Sequence, residues 1–230
     1  MPPREYPQGR PVPPPGATDL LLVRHGQSAP AREGEPFPLV DGQGDPPLTD
    51  LGSEQGRAVA RRLTDAGLAA VYVTTLQRTR QTAQPLLEAT GLPVRVEPDL
   101  REVHLGEWEG GVFRQKVAQG DPVAMRMVAE ERWDVIPGAE SAAALAERVR
   151  AAVLRICATH PDERIAVFTH GGVIGQVLAL ATGSRPFAFA GADNGSLSQV
   201  VVAGDRWQLR RFNDTAHLPD ALSLAAAPPT

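Results

Sequence analysis

The feature that most constrains the fold of this chain is a run of apolar residues that ends in a cluster of polar ones. Residues 20–23 are all apolar, and Arg24, His25 and Gly26 follow at once. Such a run is typical of a buried strand in a parallel sheet, where ligands bind at the carboxyl ends of the strands. An Arg beside a His at that end indicates an anion pocket with a nucleophile or general base in it. The alternative is that the two side chains merely end a strand.

The same pattern recurs along the chain, with helical segments between the strands. Residues 69–74 form a second apolar strand with polar residues at its end, and residues 163–169 form a third, followed by His170. This alternation predicts an α/β fold, a three-layer α/β/α sandwich with a mostly parallel central sheet and a small helical cap insertion. Two closing strands, 197–202 and 207–212, are expected to form a hairpin.

The remaining segments predict how the chain is divided. Residues 1–17 are rich in Pro and have little to bury, which indicates a disordered or polyproline arm. The globular domain is expected over residues 18–220, with the cap insertion at about 105–139 lying over the site. Residues 29–47 form a long loop without periodicity beside the site. Residues 221–230 are expected to form a mobile tail.

Composition limits the classes of partner. The 230 residues carry a net charge of -4, which argues against a nucleic-acid or membrane-surface binder because both need a basic face. The single cysteine, Cys157, excludes an intrachain disulfide and lies in a helical pattern, where a buried structural thiol is expected. No apolar run is long enough to span a bilayer, and residues 1–16 lack the apolar core of a signal peptide. A cytoplasmic location is therefore expected.

Several short motifs occur together and in a familiar order. They are Arg24-His25-Gly26, Thr49 with Gly52, the segments 75–83, 100–110 and 137–141, and His170-Gly171. They resemble RHG, LTxxG, SxLxRAxQTA, LxExxxGxWEG, PGGES and a closing HG, and they span about residues 19–200. The chain thus resembles the histidine phosphatase superfamily, which also contains the cofactor-dependent phosphoglycerate mutases.

The resemblance implies a catalytic set of five residues. His25 would attack phosphorus and become phosphohistidine, and the neighbouring cations Arg24 and Arg78 would favour its neutral form. The two guanidinium groups would bind phosphoryl oxygens, and His170 would be a third, charged phosphate contact. Glu102 would protonate the leaving alcohol and then act as base for the hydrolytic water. The scheme requires no metal, and no cofactor is expected.

Four further residues are expected to contact substrate: Gln27, Ser28, Gly171 and His104. Family members commonly carry an Asn soon after RHG that helps to bind phosphate, but no Asn occurs before residue 194 here. Gln27, Ser28 or a backbone amide is therefore expected to replace it. For His104 the alternative is an ordinary loop position without a ligand.

Three functions fit these features. The leading prediction is a metal-independent phosphatase acting on a small phosphorylated metabolite. The alternatives are a phosphoglycerate mutase-type phosphoryl transferase and a non-catalytic protein that binds a phosphorylated ligand. No nucleic-acid or membrane partner is expected, and an edge strand near Val200 could pair two subunits in a homodimer.

Overall fold

The computed structural model describes residues 4–9 and 12–219, and the elements within this part of the chain follow the predicted alternation. The strands are β1 (Thr18–Arg24), β2 (Leu39–Val40), β3 (Gln43–Gly44), β4 (Leu68–Val73), β5 (Val94–Val96), β6 (Arg164–Thr169), β7 (Leu197–Ala203) and β8 (Arg206–Asp214). The helices are α1 (Asp50–Leu63), α2 (Gln77–Thr90), α3 (Val112–Ala118), α4 (Pro122–Glu130), α5 (Ala142–Ala158) and α6 (Gly171–Thr182).

The central sheet has the order β5-β4-β6-β1-β7-β8. Strands β5, β4, β6 and β1 are parallel to one another, whereas β7 runs antiparallel to both of its neighbours, β1 and β8. This arrangement confirms the predicted α/β fold with a mostly parallel sheet. A separate two-stranded ribbon, β2-β3, lies in the long loop after β1.

The strand near Val200 is not an edge strand, so that prediction is wrong. It is β7, which pairs with β1 on one side and with β8 on the other. The closing hairpin places its second strand outermost, and β5 and β8 are therefore the edges of the sheet. Pairing of two subunits through the backbone of β7 is excluded, because both of its edges are already occupied.

Alternate residues of the strands pack in two separate hydrophobic cores, one on each face of the sheet. In β6, Ile165 and Val167 pack in the cluster that contains residues of α5 and α6. Ala166 and Phe168 pack in the cluster that contains residues of α1 and α2. Because both faces are covered, the inner strands are apolar at nearly every position.

Side-chain caps determine where two of the helices begin. Thr49 accepts a hydrogen bond from the Gly52 amide at the start of α1 (3.1 Å), and Ser141 accepts one from the Ala144 amide at the start of α5 (3.1 Å). Each cap satisfies an amide that lacks a partner within the helix. At the other end of a helix, Gly91 closes α2 in a left-handed conformation, with φ 69°.

The segment between Leu105 and Ala139 contains α3, α4 and two short 3-10 turns. Its aromatic side chains form a chain of contacts, with Phe113 6.2 Å from the ring centroids of both Trp108 and Trp133. All three rings belong to the core cluster on the α5/α6 face of the sheet. The segment is therefore packed firmly on the main body.

The described residues 4–9 and 12–16, which precede β1, contribute little to this packing. They are exposed and contain no helix or strand. Ala17, the last residue of the predicted arm, is buried, so the arm ends one residue earlier than predicted. Residues 1–3, 10 and 11 of the arm and the predicted tail, 221–230, lie outside the described residues. No helix in the described part of the chain is long and apolar enough to cross a membrane.

Cys157 is half-buried in α5, and burial raises the pKa of its thiol to about 11.

Candidate active site

Three parallel strands end side by side, and their ends deliver the polar residues that the sequence singled out. Arg24 at the end of β1 pairs with Thr169 at the end of β6. Val73 at the end of β4 pairs with Phe168. The residues that follow these strands, including His25 and His170, therefore meet at one edge of the sheet, as expected for ligand sites in α/β folds.

Two motif glycines, Gly26 and Gly52, allow the loop after β1 to contact the start of α1 at this edge. A side chain at Gly26 would place its Cβ 2.3 Å from the carbonyl oxygen of Gly52, and one at Gly52 would place it 2.1 Å from the carbonyl oxygen of Gln27. The loop after β1 and the start of α1 thus touch through their backbones. Glycine is needed at both positions because any side chain would force them apart.

His25 is buried, and its hydrogen bonds define its protonation. Nδ1 lies 2.8 Å from the Gly26 carbonyl oxygen, which can only accept, so Nδ1 carries the proton. The Nε atom of Arg78 donates to Nε2 of His25 at 3.2 Å, so Nε2 has a free electron pair. Burial, then Arg78 and Arg24, hold the pKa of His25 well below its usual value. His25 is therefore a neutral imidazole with its nucleophilic nitrogen directed at a cation.

Arg24 and Arg78 are buried beside this imidazole. Arg24 donates to the carbonyl oxygen of Ala192, while its buried Nε has no hydrogen-bond partner. Arg78 donates to the Gly44 carbonyl (3.0 Å) and lies 3.8 Å from the Asp45 carboxylate. Burial lowers the pKa of Arg78 to about 10, so it stays charged at neutral pH. The site thus holds two guanidinium cations.

His170 lies with its ring centroid 5.2 Å from that of His25. Its Nε2 is 3.0 Å from the hydroxyl of Thr74, whereas its buried Nδ1 has no partner. Burial, then Arg78, holds the pKa of His170 well below its usual value. The expected positive charge is therefore disfavoured without an anion in the site. Two buried polar atoms without partners, His170 Nδ1 and Arg24 Nε, suit an anionic ligand.

Glu102 is buried, and its carboxylate lines the same pocket as His25 and Arg78. Its oxygens accept from the amides of Val103 (2.9 Å) and Gly172 (3.4 Å). The guanidinium of Arg148 donates to the Glu102 carbonyl at 3.0 Å and also binds the carbonyls of residues 99 and 101. The backbone that carries this carboxylate is thus fixed on several sides.

The pocket in front of His25 has a volume of about 60 Å³. Cavities of this size hold a few water molecules, which is the scale of a phosphoryl group. The loop after β1 contributes Phe37 and Gln43 to its wall, and the predicted cap contributes Trp108, Phe113 and Arg114. The loop after β1 and the predicted cap therefore supply much of the pocket wall.

None of the four expected substrate contacts lines this pocket. The exposed Gln27 accepts from the Thr49 hydroxyl (2.9 Å), and His104 accepts from the Gly106 amide (3.1 Å), so local bonds occupy both side chains. Ser28 is buried but accepts from a guanidinium of the cap. Gly171 is the first residue of α6 and also lies outside the lining.

Two residues that sequence reasoning missed contribute to the site. Arg114 lines the pocket from α3. Asn194, the first Asn in the chain, donates from its side chain to the His25 carbonyl at 2.9 Å and so holds the backbone of His25. The sequence carried no signal for either residue, because each reaches the site through tertiary packing.

Comparison with known proteins agrees with this geometry. The sequence model of the histidine phosphatase superfamily (branch 1) matches residues 20–215. The chain belongs to this superfamily. Its relatives in the family are named as phosphatases and as phosphoglycerate mutase-like proteins, and the chain is an enzyme of this kind.

Three similar proteins show the range of the family. Phosphoglycerate mutase-like protein 4 of Arabidopsis thaliana is 35% identical over 88% of this chain and 87% of its own length. The metal-independent phosphoserine phosphatase of the same plant is 32% identical over 87% of this chain and 83% of its own. The structure of a mycobacterial glucosyl-3-phosphoglycerate phosphatase superposes with a TM-score of 0.70 at 32% identity, covering 86% of this chain and 99% of that one.

Proposed function

We propose that this histidine phosphatase is a metal-independent phosphomonoester hydrolase that acts through a phosphohistidine on His25. The observation that carries the proposal is the state of that imidazole. Its Nδ1 donates its proton to the Gly26 carbonyl, and its Nε2 accepts a hydrogen bond from Arg78. A neutral, oriented imidazole between two cations is what attack on a phosphate dianion requires.

The first step would transfer the phosphoryl group to His25. The electron pair of Nε2 forms a bond to phosphorus while the ester P–O bond breaks. Arg78 releases Nε2 and donates instead to a phosphoryl oxygen, joined there by Arg24 and by His170. The carboxyl group of Glu102 gives its proton to the leaving alkoxide, so that the product is a neutral alcohol.

The second step would return the enzyme to its starting state. Water attacks the phosphorus of phosphohistidine, the P–N bond breaks, and its electrons return to Nε2. The Glu102 carboxylate takes the proton from this water, which restores its acid form for the next cycle. One residue thus serves as acid and then as base.

We propose a small phosphorylated metabolite as substrate, because the pocket in front of His25 is small, with a volume of about 60 Å³. Two of the similar proteins are named for phosphoserine and for glucosyl-3-phosphoglycerate, and both compounds carry a carboxylate near the phosphate ester. A cytoplasmic location is part of the proposal, and cell fractionation tests it.

A phosphoglycerate mutase is the second candidate, because several similar proteins are named as probable phosphoglycerate mutases or as mutase-like. A mutase would use the same phosphohistidine but return the phosphoryl group to a phosphoglycerate. Incubation with 3-phosphoglycerate separates the two functions. The proposal expects phosphate release to exceed formation of 2-phosphoglycerate, and the opposite order would favour the mutase.

The direct test is phosphate release from a panel of phosphomonoesters, with chelator present throughout. The wild-type protein should release phosphate, and His25→Ala should release none. Glu102→Gln should be slower by about 10²- to 10⁴-fold, the usual contribution of a general acid or base. Release that persists in His25→Ala, or that is lost when chelator is added, would refute the proposal.

A further inference from the structure

One cation in the pocket has no role in the steps above. Arg114, the third residue of α3, lines the pocket from the predicted cap. Its Nη1 donates to the Ala29 carbonyl and its Nη2 to the Ser28 hydroxyl, both at 2.8 Å. The guanidinium also lies over the ring of Phe37, 5.5 Å from its centroid. Its position and its plane are therefore fixed by the loop that follows β1.

Among the described residues, neither Arg114 nor the buried Arg24 forms an ion pair with a carboxylate, in contrast to Arg78 and Arg148. Arg78 lies near Asp45, and Arg148 is paired with Glu140 at 2.6 Å. No carboxylate among the described residues forms an ion pair with Arg114, and burial is the cause that lowers its pKa. Buried charges in proteins are normally paired, so an unpaired guanidinium facing a pocket indicates an anionic ligand.

The remaining donors of Arg114 suit a carboxylate. A guanidinium has five N–H groups, and the two bonds to Ala29 and Ser28 leave three of them for a ligand. Because Phe37 covers one face, a ligand approaches the edge, where a planar carboxylate can accept two bonds. Glu102 and Glu109 also line the pocket. Their negative charges repel a carboxylate, which carries one negative charge, less than they would repel a second phosphate group, which carries two.

We propose that Arg114 binds a carboxylate of the substrate, so that the enzyme acts on phosphomonoesters of small carboxylic acids. This inference rests on the proposed phosphatase function and adds a specificity residue to it. His25, Arg24 and Arg78 hold the phosphoryl group at the strand ends. Arg114 holds the carboxylate from the cap side, and the substrate lies between the two.

Matched substrates isolate the carboxylate. 3-Phosphoglycerate and glycerol 3-phosphate differ only in a carboxylate replaced by a CH₂OH group, and phosphoserine and phosphoethanolamine differ only in the loss of the carboxylate. The variants are Arg114→Gln and, as control, Arg126→Gln. Arg126 lies on α4 in the same cap segment, exposed and outside the pocket, and it forms an ion pair with the neighbouring Glu130.

The wild-type enzyme should prefer the carboxylated member of each pair in kcat/KM by about 10- to 100-fold, the range expected for a hydrogen-bonded ion pair. Arg114→Gln should remove most of that preference by raising KM for the carboxylated member, because the contact lies away from the reacting atoms. The other member should change little, and Arg126→Gln should keep the wild-type preference. Equal losses on both members would overturn the proposal and indicate a phosphoryl contact or a structural role.

The outcomes also separate this inference from the function on which it rests. Hydrolysis of all four esters at similar kcat/KM would overturn the role of Arg114 and leave the phosphatase intact. If no ester is hydrolysed, calorimetry on the His25→Ala protein compares binding of phosphoserine and phosphoethanolamine without turnover. Tighter binding of phosphoserine that is lost in His25→Ala/Arg114→Gln would support the carboxylate contact, and equal binding of the two would overturn it.

Discussion

Gly172, the second residue of α6, lies against the carboxylate of Glu102. A Cβ added at this glycine would stand 2.6 Å from Oε1 of Glu102 and 2.7 Å from Cγ2 of Val103. The change Gly172→Ala therefore moves the proposed acid and base without altering any charged or catalytic group. We expect it to slow catalysis while leaving the fold intact.

The size of the effect follows from these distances. Ordinary contacts of a Cβ begin at 3.4 Å, so the Glu102 oxygen must move by about 0.8 Å. A displacement near 1 Å at a catalytic group costs about 10²-fold in rate. The added methyl group should lower the free energy of unfolding by about 1–3 kcal/mol through overpacking. The higher helix propensity of Ala offsets this cost by up to about 1 kcal/mol.

Gly175→Ala, one turn further along α6, is the matched control. Its Cβ would stand 3.3 Å from the Phe189 carbonyl oxygen, away from Glu102, so only a small adjustment is needed. The assay is kcat/KM with an alkyl phosphate, together with thermal unfolding of each variant. Wild-type kcat/KM in a folded Gly172→Ala protein would refute the reasoning, because Glu102 would then not need its present position.

Three further predictions concern charge and capping. Arg78→Gln should raise the pKa of His25, since it removes one of the cations that hold it down, and NMR titration of the imidazole would show this; a fall in that pKa would contradict the assignment. His25 and His170 have folded-state pKa values below the ordinary 6.5, so the unfolded chain binds more protons below that pH. The free energy of unfolding should accordingly fall as pH drops below about 6.5, and a flat urea-denaturation profile over that range would argue against two neutral buried imidazoles. Thr49→Ala should cost about 1 kcal/mol in the same assay, whereas Thr49→Ser should not, because the cap needs only the hydroxyl.

Much of the fold could be predicted because local pattern and tertiary environment agree. The apolar residues of β1 and β6 are buried on both faces, and such strands carry a strong signal in sequence. The cap at Thr49 is likewise a local interaction, complete within four residues. The place of β7 in the sheet could not be obtained in this way. Strand order depends on which neighbours pair, and that is a property of the whole chain.

The candidate site was predictable where residues follow strand ends and, for Glu102, from the motif resemblance. His25 and His170 are brought together by the register of β1 and β6, so their neighbourhood follows from the topology. Which residues of the loop after β1 line the pocket depends instead on how the irregular backbone of that loop folds. Gln43 reaches the pocket through the small β2-β3 ribbon, and Gln27 is turned away by its bond to Thr49. No periodic pattern in the sequence predicts the position of either side chain.

The central claim is that His25 carries the phosphoryl group during turnover. Rapid mixing with a phosphomonoester, quenching in alkali and mass spectrometry of the peptides would locate any covalent phosphate. The account predicts an acid-labile phosphoryl group on His25, formed and lost within one turnover and absent from His25→Ala. A phosphoryl group on another residue, or phosphate release at the wild-type rate by His25→Ala, would contradict it.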